Sequence, residues 1–114
     1  MSLIEKNKNS KDRENQDNTS TVATLEKPKL KKPPLYRVIL LNDDYTPMEF
    51  VVYVLQIIFG FEGDKAQRIM LDVHTHGKGV CGIFTKEVAE TKSEQVNNFA
   101  RENGHPLLSD IEQV

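Results

Sequence analysis

The sequence contains no tryptophan, a single cysteine and no long apolar run, and each shortage narrows what the chain can be. One cysteine, Cys81, cannot form an intramolecular disulfide, so the fold rests on packing alone, as suits a reducing cytosol. No stretch approaches the roughly 18 apolar residues that a membrane-spanning helix requires. The N-terminus lacks the apolar core of a secretory signal. The expected setting is therefore cytoplasmic, away from membranes. Enzymatic signatures are missing as well. Cys81 lies in the apolar run from Val80 to Phe84, where a thiol behaves as an inert small hydrophobe, and no nucleophile, base and orienter stand together. Gly77-Lys78-Gly79 lacks the flanking spacing of a phosphate-binding loop. His74, His76 and Cys81 are neighbours in sequence, but side chains two apart on a helix diverge by about 200° and no further ligand is at hand beyond the distant His105. Neither a metal nor an organic cofactor is expected, and no enzymatic activity.

What is present divides into two parts. Residues 1–34 carry eight basic and five acidic residues, a charge of +3, whereas the remaining 80 carry seven basic and twelve acidic, a charge of −5. An acidic body is a poor binder of phosphate backbones. The basic arm has no interleaved aromatic residue to stack on bases, so no nucleic-acid partner is expected. From Glu5 to Thr21 the arm has no apolar residue to bury, and Lys27 to Pro34 adds charge and proline. Such a segment cannot offset its ordering entropy, so residues 1–34 are predicted to be a disordered arm and linker before a folded domain over 35–114. One small domain without internal repeats is expected to act as a monomer.

Within the domain, Tyr36 to Leu41 is rich in β-branched and aromatic residues and stops at Asn42-Asp43-Asp44, which reads as a strand entering a polar loop. Thr46, Pro47 and Glu49 have the spacing of a helix cap, a first-turn proline and a capping-box partner. That helix should reach Phe59 and end on a left-handed Gly60. Asp64 and Gln67 repeat the capping spacing ahead of a second helix, whose Ala66, Ile69, Met70 and Val73 form one apolar stripe. Gly77 and Gly79 bracket its exit. Val80 to Thr85 reads as a second strand. Thr85 should cap a third helix whose stripe runs through Val88, Gln95, Val96 and Phe99 to a stop at Gly104, and Leu107 to Glu112 reads as a last strand. The order βααβαβ predicts an α+β sandwich, a three-stranded antiparallel sheet with three helices on one face.

One constellation carries binding chemistry. The loop Asn42-Asp43-Asp44 leads into a helix bearing Met48 and Val51 one turn apart, and the second helix bears Met70, Val73 and His74. Two such helices packed as a hairpin would enclose an apolar hollow with a polar rim, and Met and Val suit a pocket that adapts to several large apolar groups.

Four separated motifs give the domain a family resemblance. Val38 to Val51 (VILLNDDYTPMEFV), Met70 to His74 (MLDVH), Cys81 to Lys92 (CGIFTKEVAETK) and Ala100 to Leu108 (ARENGHPLL) resemble ClpS adaptors in order and spacing. The resemblance implies a non-enzymatic adaptor that recognises N-degrons, substrates beginning with Leu, Phe, Tyr or Trp. It implies that Asn42, Asp43 and His74 surround the substrate α-amino group. Met48, Val51, Met70, Val73 and Leu107 would line the side-chain pocket, with Thr46 at its edge and Met48 as a gate against β-branched first residues. Glu87 and Lys92 match positions that dock the N-terminal domain of the ClpA unfoldase, whose pore engages the arm in the family. The alternative is another binding module of similar fold, associated with ribosomes or translation factors, but ribosomal stalk domains lack this combination of Asn-Asp-Asp and His.

Overall fold

The computed structural model describes residues 32–114, so most of the expected arm lies outside the described residues. Leu35–Leu41 forms strand β1, Met48–Phe59 helix α1, Gly63–His76 helix α2, Lys78–Thr85 strand β2, Lys86–Glu102 helix α3 and Leu108–Gln113 strand β3. This is the expected βααβαβ order. Strand β1 is central, flanked by β2 and β3, and both pairings are antiparallel. The strand alternation is the physical reason for the layering. Val38, Leu40 and Cys81 point into the core, whereas Leu35, Val80, Ile83 and Leu108 stay largely exposed. The inward residues meet Val54, Leu55, Ala66, Ile69, Val96 and Ala100 from the three helices in one apolar cluster. A register shift between Val38 and Ile39 kinks the β1–β2 pairing and leaves Cys81 without an opposite residue.

The helix boundaries fall within a residue or two of expectation, but two of the three N-caps differ. Pro47, not Thr46, is the N-cap of α1, and it has no side chain to offer; its carbonyl accepts from the Phe50 and Val51 amides. Helix α2 begins one residue before Asp64, with Glu62 as N-cap, and Thr85 does cap α3 in position; neither makes a side-chain cap bond. Gly60 is left-handed, as anticipated (φ 72°). Of the expected α3 stripe, Val96 is buried and Phe99 packs against the core, whereas Val88 and Gln95 are exposed. Ala89, Ser93, Val96 and Ala100 are the buried positions of α3, while Val88 is 43% exposed. Alanine and serine let α3 approach the sheet closely, and a bulkier residue would hold it away. Ser93 and Ser109 are the buried polar residues; the Ser109 hydroxyl donates to the Ile39 carbonyl at 2.8 Å, and Asn97 on α3 brackets Ser109 with two bonds.

Candidate functional site

A hollow of about 220 Å³ opens between the β1–α1 loop and the C-terminal half of α2. Its walls are Asn42, Asp43, Asp44 and Thr46 from the loop, Met48 from the first residue of α1, and Met70, Val73 and His74 from α2. Sites for drug-sized ligands run to ~300–1,000 Å³, so this one suits a single large side chain rather than an extended cofactor.

Local chemistry sets each wall. Helix α2 ends where Gly77 takes the left-handed conformation (φ 89°), a geometry that favours glycine. The Gly77 carbonyl then accepts from the Asn42 amide at 2.9 Å, which ties the start of the loop to the end of α2 and brings Asn42 alongside the His74 turn. Behind α2 the fit is close. A β-carbon on Gly79 would stand 2.8 Å from Val73 Cγ2 and 3.1 Å from the Ile69 carbonyl, so glycine there lets β2 lie against the helix that carries the apolar wall. Met70 and Val73 are buried; Met48, at the mouth, is 45% exposed.

The loop is held by Asp43. Its Oδ1 accepts from the Tyr45 and Thr46 amides at 2.8 and 2.7 Å, and its Oδ2 accepts from the Thr46 hydroxyl at 2.8 Å. The Thr46 hydroxyl is thus turned back to the carboxylate three residues earlier, and Pro47 takes the cap position of α1. Burial pushes the Asp43 carboxyl pKa up, but the Thr46 hydroxyl, the Tyr45 and Thr46 amides and the charge of His105 together outweigh it and hold the group below its ordinary value of 3.8. Asp43 is thereby an anion with three of its roughly four acceptor positions already used. Asp44 is different. It is exposed, it lines the same hollow, and none of the hydrogen bonds or ion pairs among the described residues engages it.

Of the nine residues expected around a pocket, seven line this hollow: Asn42, Asp43, Thr46, Met48, Met70, Val73 and His74. Val51 and Leu107 do not. They are 6% and 2% exposed and belong to the core cluster that also contains Met70 and Val73. Asp44 joins the wall as well, beyond those nine, as the third residue of the polar triplet that marks this loop in the sequence. Glu87 and Lys92 lie well apart on α3, lining a separate surface hollow with Val88, Thr91 and Gln95. Lys92 also caps α1 from outside: its ammonium donates to the Ile58 carbonyl at 3.0 Å and sits 5.8 Å from the Phe59 ring centroid. Among the described residues no cluster of three or more metal-ligating side chains occurs, and no helix is long and apolar enough to cross a membrane.

Residues 31–110 match the family described as ATP-dependent Clp protease adaptor protein ClpS. The ATP-dependent Clp protease adapter protein ClpS of Methylococcus capsulatus is 62% identical over 87 residues, which cover 76% of this chain and 82% of that relative. Among solved structures, Agrobacterium tumefaciens ClpS2 bound to L-phenylalaninamide is similar with a TM-score of 0.72 and 40% identity, over 73% of this chain and 100% of that one.

Proposed function

The chain belongs to the ClpS family of Clp protease adaptors, and on that footing we propose that its loop–α2 hollow captures proteins beginning with Leu, Phe, Tyr or Trp for delivery to the ClpA unfoldase. The observation that carries this reading is the juxtaposition in one hollow of a polar wall, Asn42, Asp43, Asp44 and His74, with an apolar wall, Met48, Met70 and Val73. An N-terminal residue has the matching duality. Its α-amino group, with a pKa near 7.7–8.0, is mostly ammonium at neutral pH and offers three donors beside a side chain. L-phenylalaninamide, the ligand of the Agrobacterium relative, has the same two parts in miniature.

In this scheme the Asn42 amide oxygen, the His74 ring and a carboxylate accept from the ammonium. Asp43 supplies fixed negative charge and one remaining acceptor position, and Asp44 supplies the uncommitted carboxylate. Met70 and Val73 receive the side chain, Thr46 stands at the edge, and Met48 gates the entrance. Val51 and Leu107 act from behind, as core partners that set where the apolar wall stands. Burying a Leu- or Phe-sized group contributes roughly 1.5–3 kcal/mol, and charge-assisted bonds a further ~1.5–3 each where water is excluded. After the costs of association, a Kd on the order of 0.1–10 μM follows, tight enough to capture and weak enough to hand over. An acetylated terminus lacks the charge and two of the donors and leaves the polar wall unpaired, which is how such sites reject near-matches.

Delivery requires a second face. Glu87 and Lys92 are its candidates for the N-terminal domain of ClpA; they are remote from the hollow, so substrate and unfoldase do not compete for them. Two of the three Lys92 ammonium donors remain for a partner after the bond to Ile58. The adaptor would act as a cytoplasmic monomer, with residues 1–34 as the arm that the unfoldase engages.

The test is a titration with three fluorescent peptides that share one body and begin with Leu, acetyl-Leu or Ile. Binding of the first alone is expected. Equal binding of all three, or of none, would refute the degron reading.

A further inference from the structure

The first turn of α1, which carries Met48 at the hollow, is held from a direction that the degron scheme does not use. Helix α3 ends at Glu102, and Gly104 turns the chain with φ 76°, so that the His105 amide reaches back to the Ala100 carbonyl at 2.9 Å. This closure fixes the backbone of His105 and, two residues on, the buried Leu107. The half-buried His105 ring lies on Phe50, with centroids 4.3 Å apart and planes inclined at 52°. Phe50 is stacked in turn on Phe99 of α3, at 5.5 Å and 9°. Phe50 belongs to the first turn of α1, two residues after Met48, and its amide bonds to the Pro47 carbonyl. The turn that precedes it is the one folded around the Asp43 carboxylate.

We propose that His105 is a positioning residue for the hollow: packed on Phe50, it fixes the first turn of α1, and with it Met48 and the loop that leads into the helix, against the end of α3. His105 is not among the residues that line the hollow, so it acts through Phe50. Its contribution is packing, the His105 ring on Phe50 and Phe50 in turn on Phe99 of α3.

The inference rests on the degron reading for its significance, but its first test does not. Backbone amide exchange of the full chain is measured without any peptide for the wild type, His105→Phe and His105→Ala. The Tyr45 and Thr46 amides, which bond to Asp43, are expected to exchange several-fold faster in His105→Ala, while α2 amides such as that of Val73 keep their rates. In His105→Phe, packing is retained, so those two amides keep wild-type rates. Unchanged Tyr45 and Thr46 protection in His105→Ala, or loss of protection spread evenly over the whole domain, would overturn the proposal. The second test is the Kd for the Leu-starting peptide as a ratio of variant to wild type. A ratio near one for His105→Phe and a several-fold rise for His105→Ala are expected, and a rise of equal size in both variants would overturn the packing role. If the wild type binds no degron while the exchange result holds, the degron reading fails and the positioning role stands.

Discussion

Replacing Asp43 and Asp44 one at a time separates two jobs done by adjacent carboxylates. Asp43→Ala removes the acceptor for two amides and one hydroxyl at 2.7–2.8 Å. Hydrogen bonds to a charged group contribute roughly 1.5–3 kcal/mol each when fully dry, but this turn borders solvent and water can take over part of the work. Loss of a comparable side-chain cap costs about 1 kcal/mol, so about 1–2 kcal/mol is the expected loss here. For a domain of this size each kcal/mol lowers Tm by about 4–8 °C, which places the variant roughly 5–15 °C below wild type. Asp44→Ala breaks none of the bonds found among the described residues and should stay within about 0.5 kcal/mol of wild-type stability. Its effect falls on binding, where an exposed ion pair contributes about 0.5–1 kcal/mol, or roughly two- to fivefold in Kd for the Leu-starting peptide. Thermal melts and peptide anisotropy read the two quantities independently. The pH dependence has a definite sign. The Asp43 pKa is lowered on folding, so its stabilisation is complete above the ordinary value of 3.8 and is lost as the pH falls from there through the depressed value. The Tm gap between wild type and Asp43→Ala should therefore be the same at pH 7 and pH 5 and should narrow only below pH 3.8. An Asp43→Ala protein with wild-type Tm and lost affinity, or an Asp44→Ala protein with lost Tm and intact affinity, would show that the roles are reversed.

Met48→Ala should leave stability nearly unchanged and shift the ranking of Ile- and Val-starting peptides towards Leu by roughly tenfold, read by competition; an unchanged ranking would mean that Met48 is not a gate. Gly79→Ala places a β-carbon 2.8 Å from Val73 Cγ2 and 3.1 Å from the Ile69 carbonyl, so β2 and α2 must separate at a cost of about 1–3 kcal/mol. A melt at the wild-type temperature would show that the contact relaxes freely. Cys81 is buried, and burial pushes its thiol pKa up to about 12, so alkylation of the native protein by iodoacetamide should await unfolding. Rapid labelling without denaturant would contradict that account.

Much of the fold was legible because it depends on periodicity and on strong punctuation. The stop of β1 at Asn42, the turn at Gly60 and the stripe Ala66, Ile69, Met70 and Val73 are all local signals, and the structure has them where the pattern placed them. The stripe of α3 differs from expectation at Val88 and Gln95, which are exposed, for a physical reason. Its buried face is made of Ala89, Ser93 and Ala100 around Val96, small residues that carry little hydropathy and are buried because α3 lies close to the sheet. Distance between layers is a tertiary quantity, and no window along α3 contains it. The α1 and α2 caps failed in the same way. Thr46 has the chemistry of a cap, but whether its hydroxyl accepts from an amide ahead or donates to a carboxylate behind depends on the turn it sits in.

The division of labour between Asp43 and Asp44 is the sharpest case, and it bears on how the hollow works. In sequence the two are interchangeable neighbours, and resemblance alone assigned the ammonium to Asp43. Which carboxylate turns inward to gather the Tyr45 and Thr46 amides is decided by the direction in which the chain leaves Leu41, and that direction is set by the Asn42 amide bonding to the Gly77 carbonyl at the end of a different helix. The same bond brings the loop to His74. A site that reads a charged terminus needs acceptors held still before the ligand arrives, because acceptors that must be ordered on binding lose part of what they contribute. Asp43 provides that rigidity through the three bonds it accepts, and on the proposed reading Asp44, with the one remaining Asp43 position, is left for the ammonium.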